Sequence, residues 1–305
     1  MASSLQVLKG TSVTVTETFQ VDGVAADLDA SAVPTVVAKF PDGTSLTPAP
    51  TASGAWSGRT TGQYRIVLDG QAEVTYLDPI TWTGAIGGKA QTLSSRVEWV
   101  GAVLFGISEL RALKVAGSQP FALAATPLFS EQQIMDARAA TLDEFEQILG
   151  FSPVPRFARS VVDGDGLWSV VLPHLKTHRL LSVAVNGAVQ QVSSYTLRRS
   201  GILEATSGYV ASGTFTAGRQ NVAVEYVHGE PRVMGDGGNV AMLRAAMRLD
   251  PGLSSTASSV TTPDGVSYSF DPAGQVTRGG TVRHFGVPVI DSWLNRWSQV
   301  GLAVA

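Results

Sequence analysis

"SEQQIMDARAATLDEFEQILG", residues 130–150, decides the fold class, because it reads as a helix set between two stretches that alternate as strands do. Ile134, Ala137, Leu142, Phe145 and Leu149 fall on one helical stripe. Ser130 and Gln133 have the spacing of a capping box, in which each side chain reaches the other's backbone N–H. Gly150 is the expected stop, with Pro153 just beyond it. Two lesser helical signals flank this one, "ISELRAL" at 107–113 and "NVAMLRAAMRLD" at 239–250, the latter halted by Pro251-Gly252.

Working outward, residues 4–103 read as all-β. "TSVTVTETFQV" (11–21) alternates, "PTVVAKFPDGT" (34–44) runs into a Pro-Asp-Gly turn, and "GQYRIVLDG" (62–70) places Tyr64, Ile66 and Leu68 on one face. Together with "AEVTYLDPITWTGAIGG" and "QTLSSRVEWVGAVLF" they give roughly seven short strands, the pattern of an Ig-like sandwich. Trp82 and Trp99 are expected in its core. Downstream, residues 156–228 return to β: strands joined at Asp-Gly-Asp-Gly (163–166), a hairpin about Asn186-Gly187, and "QNVAVEYVHG" closing a meander. The expected architecture is α+β in two domains. Residues 1–103 form an Ig-like β-sandwich, 104–252 a few helices with an inserted antiparallel β-meander, and 253–305 an extended Ser/Gly-rich arm with a C-terminal helix.

Composition narrows the chemistry. An apolar share of 44% fits a globular chain, while 15% charged residues is low. Cysteine is absent, which removes disulfides and thiolate ligands or nucleophiles. Residues 1–103 hold six Lys/Arg against nine Asp/Glu, so the net charge of −3 lies there and residues 104–305 are neutral. Nothing here calls for wrapping nucleic acid. No secretory signal and no membrane span are expected.

The motifs that carry chemistry elsewhere are incomplete. His174 and His178 in "HLKTH" have i, i+4 spacing but lack the Glu of a zinc helix, and Pro173 argues against a helix there. Asp163 and Asp165 resemble the start of a calcium loop without its other ligands, and a hairpin turn is the plainer reading. "GDGGN" (235–239) precedes a helix where an anion could bind, yet lacks the P-loop Lys and reads as a flexible lead into the helix. No catalytic residues, metal or cofactor are expected, and the chain is not expected to be an enzyme. A hydrolase with an unrecognised site is one rival to this. Another is a carbohydrate- or receptor-binding module that uses the Ig-like domain and Trp56, Trp82 and Trp99.

"VPVIDSWLNRW" (287–297) puts Ile290, Trp293, Leu294 and Trp297 at i, i+3, i+4, i+7, so one face of the last helix carries two tryptophans. That face either packs on its own domain or belongs to a partner, such as a neighbouring subunit or a portal.

From residue 97 onward the order of features resembles the head-to-tail connector (adaptor) family of long-tailed bacteriophages, and one actinobacteriophage group in particular. The carrying features begin with "RVEWVGAVLFGISELRAL" and the helix containing Ala137-Arg138. Gly150-Phe151-x-Pro153-x-Pro155-Arg156 and Asp-Gly-Asp-Gly follow, then a strand ending Leu172-Pro173-His174 and the "SVAVNG" hairpin. Tyr226-x-His228-Gly229 then precedes a helix, and "HFGVPVIDSWLNRW" looks like the family's closing helix. "KVAGSQPFALAATPLF" (114–129) looks like an insertion, and the Ig-like domain like an added decoration.

The resemblance implies a homo-oligomeric, usually dodecameric, ring beneath the portal protein. It would extend the DNA channel, pass double-stranded DNA through its lumen without specific binding, and offer a platform to the next neck or tail-completion protein. It implies a virion protein of the capsid vertex, assembled in the bacterial cytoplasm, with no membrane contact and no cofactor. It also favours a partner-facing role for Ile290, Trp293, Leu294 and Trp297.

Overall fold

The structure, a computed structural model, describes residues 3–29, 33–47, 49–55, 57–115, 129–206, 215–250, 259–261, 267–269, 285 and 287–302. Trp56, residues 116–128 of the expected insertion and most of the 253–284 arm lie outside these. The chain is mixed α+β and divides into two compact units, Met1–Gly101 and Ala102–Ala305.

The first unit is built from strands β1 (Ser3–Leu8), β2 (Val13–Thr18), β3 (Gln20–Val21), β4 (Val24–Ala25), β5 (Thr35–Ala38), β6 (Gln63–Leu68), β7 (Thr75–Ile86) and β8 (Lys89–Val100). One sheet has the order β1-β8-β7-β5, with β1 parallel to β8 and the other pairs antiparallel. β2 pairs with β6, and β3 with β4. Period-two alternation explains the burial: in β6, Tyr64, Ile66 and Leu68 point inward while Val67 between the last two is exposed. Trp82 and Trp99 are fully buried, as expected. Their indole N–H groups donate to Ser95 Oγ at 2.8 Å and to the Thr11 carbonyl at 3.0 Å, so no buried donor there is wasted. Neither indole is available to a ligand.

The second unit has two cores. The helical one is made by α1 (Ile107–Arg111), α2 (Glu131–Leu149), α3 (Gly237–Leu249) and α4 (Pro288–Leu302). α2 follows its sequence closely. Ser130 Oγ accepts from Gln133 N–H at 3.2 Å and Gln133 Oε1 accepts from Ser130 N–H at 2.8 Å, while Gly150 ends the helix at φ 75°. The whole Ile134–Leu149 stripe is buried. Arg138 lies in the same core, donates to the Phe105 carbonyl at 2.9 Å, and is pushed down to about 10 by burial.

α2 is stapled to α3 by one carboxylate. Glu144 accepts from Arg244 at 2.9 and 3.0 Å and from Arg248 at 2.5 Å. Burial alone would raise the Glu144 carboxyl, but the two guanidiniums outweigh it and hold it below the usual range. Glu144→Gln is expected to cost about 1–2 kcal/mol, since two charge-assisted partners are lost but both stay within reach of water. Chemical denaturation checks this, and a loss below a few tenths would mean that packing alone holds the pair.

The β core departs from the expected meander. Strands β10 (Arg156–Gly164), β11 (Ser169–Val171), β12 (Arg179–Val185), β13 (Ala188–Val189), β14 (Tyr195–Leu197), β15 (Ile202–Ala205) and β16 (Gly218–His228) form two sheets, β10-β16-β12-β13 and β11-β15-β14. The first strand pairs with the last, and β11 leaves for the other sheet. Asp163–Gly166 is therefore a crossing between sheets, not a hairpin. Asp163 Oδ1 accepts from Gln220 N–H at 2.6 Å, and a Cβ on Gly164 would lie 2.0 Å from the Thr216 carbonyl oxygen, so the glycine is sterically required. The Asn186-Gly187 hairpin is as expected, with φ of 52° and 77°, the signature of a type I′ turn. Short strands β17 (Ser259–Thr261) and β18 (Ser267–Ser269) pair with each other, and β17 pairs with β9 (Lys114–Val115).

Candidate functional site

The four residues singled out on the last helix do not form an open surface. Ile290 and Leu294 are fully buried, Trp293 is 7% exposed, and Trp297 is partly buried against the same helical core. Of the two readings of this face, packing on its own domain holds within the chain, and the reason lies at the start of α3. Gly237 leaves a notch there: a Cβ on it would meet the Trp293 ring at 2.7 Å. The indole fills that notch, directs its N–H toward the Met234 carbonyl at 3.4 Å and stacks obliquely on Phe145, with ring centroids 5.4 Å apart. In "GDGGN" Gly237 serves this packing, while a Cβ on Gly238 would meet the Leu104 carbonyl oxygen at 2.8 Å. Asp291 Oδ1 accepts from Phe285 N–H at 2.9 Å at the start of α4.

A different constellation is assembled where the C-terminal end of α2, the Leu172–His178 loop and the end of β16 meet. Gly150 turns the chain out of α2, and residues 151–155 are all buried. Arg156 then reaches back to α2, with Nη1 2.5 Å from Glu146 Oε2 and 3.1 Å from Asp143 Oδ1. The end of β16 is fixed by backbone: Glu230 N–H donates to the Ser152 carbonyl at 2.9 Å, and His178 N–H to the Val227 carbonyl at 3.1 Å.

Inside this joint is a polar chain. Tyr226 OH is 2.9 Å from Ser160 Oγ and 2.6 Å from His174 Nδ1. The phenol has one proton, so it donates to one neighbour and accepts from the other. Burial pushes Tyr226 up to about 12, although its bonds to Ser160 and His174 oppose this, so the phenol keeps its proton. The His174 and His228 rings lie 4.1 Å apart at 30°. Burial lowers both imidazoles, with the Arg156 charge adding to the effect, and His228 falls to about 3. Both are therefore neutral at pH 7. His228 is 3% exposed and its Nδ1 has no hydrogen-bond partner among the described residues. One ligand atom from each of Glu146, His174 and His228 lies within 4.8 Å of the others.

His174 and His178, the pair visible in the sequence, do not come together as ligands. The segment is not helical, and His178 is exposed with its Nδ1 3.4 Å from the Lys176 carbonyl. His174's neighbour is His228, 54 positions away, a pairing that no local spacing announces. Tyr-x-His-Gly and Leu-Pro-His are visible as short motifs, but their meeting is a tertiary fact. In the first unit a cleft of about 520 Å³ is lined by Phe40, Leu46, Val67 and Gln71 among others, without a cluster of catalytic groups at its wall.

No family model matches the chain, and no curated protein matches it in sequence.

Proposed function

We propose that the chain is a structural subunit of the head-to-tail connector ring of a long-tailed bacteriophage. It would dock under the portal protein, extend the DNA channel and receive the next neck or tail protein. The first unit would be an Ig-like decoration. The observation that carries this reading is the joint just described. Gly150–Arg156, Leu172-Pro173-His174 and Tyr226-x-His228-Gly229, three of the features behind the resemblance, meet at one joint, in which residues 151–155, Leu172, Tyr226 and His228 are buried. A motif match gains weight from the structural context its residues occupy. The electrical neutrality of residues 104–305 suits a channel that passes DNA without gripping it.

Ring formation needs a subunit contact, and with the α4 face buried the better candidate lies at the start of β11. Leu167, Trp168 and Val171 are 57%, 55% and 71% exposed, an unusual cost for three apolar side chains within five positions. A half-exposed tryptophan is a typical interface anchor. The test is light scattering and electron microscopy of the full chain, alone and mixed with portal assemblies. Rings, or chain bound to portals, are expected, and the reading falls if neither is seen. Trp168→Ala is expected to weaken assembly roughly 30-fold, as befits an anchor of ~2 kcal/mol, with the unfolding midpoint unchanged. Unimpaired assembly by this variant would remove β11 from the interface.

A further inference from the structure

We propose that Glu146, His174 and His228 form a binding site for one divalent transition-metal ion of the zinc type, which ties α2 to the end of β16 and the Leu172–His178 loop. The donor set is two imidazole nitrogens and one carboxylate oxygen, each from a different segment, within 4.8 Å of one another. Such a set suits zinc, with water completing the coordination. Bonds of about 2.0–2.1 Å place tetrahedral donors roughly 3.4 Å apart, so the side chains must close by about an ångström. Small rotations of the imidazoles and the carboxylate supply that movement.

Two further features point the same way. First, His228 is 3% exposed and its Nδ1 has no partner among the described residues. A buried polar atom without a bond is costly, and such atoms call for an explanation. Second, the outer partners of a metal site are present. Tyr226 OH lies 2.6 Å from His174 Nδ1 and is itself held by Ser160, which fixes the ring and leaves Nε2 as the ligand atom. Metal-binding histidines characteristically use their second nitrogen in this way. Arg156 orients the Glu146 carboxylate through Oε2. A carboxylate has about four lone-pair sites, so one that holds an arginine can also bind a metal.

The test uses the full chain stripped with a chelator, with Zn²⁺ alone as the stabilising probe and Co²⁺ as the spectroscopic one. One ion per chain is expected by calorimetry, with a raised unfolding midpoint and a visible Co²⁺ absorption band of low-coordinate form. Glu146→Gln keeps the shape of the side chain and should abolish the Co²⁺ band. Tyr226→Phe should lower affinity about 10–100-fold, the usual effect of losing an outer partner. His178→Ala should change nothing. Because His228→Ala could simply fail to fold, the wild-type spectrum and the Glu146→Gln spectrum decide the matter. No midpoint shift and no Co²⁺ band at saturating metal would overturn the proposal. So would binding that survives Glu146→Gln but disappears with His178→Ala.

Discussion

Replacing Trp293 and Trp297 together by alanine is expected to lower the stability of the second unit by on the order of 3–5 kcal/mol, the range for emptying a large buried aromatic site. Trp293 fills the notch over Gly237 and stacks on Phe145, so its removal leaves a cavity against two helices at once. Ile290 and Leu294 on either side along α4 are already fully buried, so the gap is expected to close only in part. For a unit of this size the loss corresponds to a fall of roughly 10 °C in its unfolding midpoint. Scanning calorimetry should place the shift in one transition and leave that of residues 1–101 in position. The reciprocal variant Gly237→Ala, which pushes a methyl into the indole, should act on the same transition. A double mutant that melts normally but fails to assemble would return the face to a partner.

The second large effect is expected at Gly229. Its φ is +98°, and a Cβ there would lie 2.1 Å from the Val154 carbonyl oxygen and 3.0 Å from Ser152 Cβ. Gly229→Ala therefore combines a strained backbone, about 1–3 kcal/mol by itself, with a backbone clash that neither side can yield to cheaply. The Glu230–Ser152 hydrogen bond next to it should break, freeing the end of β16 from residues 151–155. Hydrogen exchange at Glu230 and across β16 is the direct measure. Protection equal to wild type would show that the joint does not depend on this close approach.

Much of the local structure was legible. The α2 helix, its capping box and its Gly150 stop follow from side chains that bond within one turn, so the sequence carries them complete. The Asn186-Gly187 turn is of the same kind, since both residues tolerate positive φ. The burial of Trp82 in β7 fits period-two alternation with Ile80, whereas at the end of β8 Val97, Glu98, Trp99 and Val100 are all buried and no alternation marks Trp99. The strand partners were not legible in the same way. Val161 pairs with Ala223 and Val171 with Ile202, and both pairings are chosen by which apolar faces cover one another after the chain has turned. Alternation says that a segment is a strand and which side is apolar, but it is blind to the neighbour.

The sequence by itself determined the α+β class, the helix ends, the tight turns and the apolar stripe of the last helix, because each depends on residues a few positions apart. Tertiary structure alone decided what that stripe meets and which histidines meet each other. Trp293 is an interior residue because Gly237, 56 positions earlier, leaves room for an indole. His174 faces His228 because the end of β16 and the Leu172–His178 loop are pinned side by side by the His178–Val227 backbone bond. In both cases the deciding contact joins segments whose distance apart is set by the folding of everything between them, and no short stretch of sequence contains that distance.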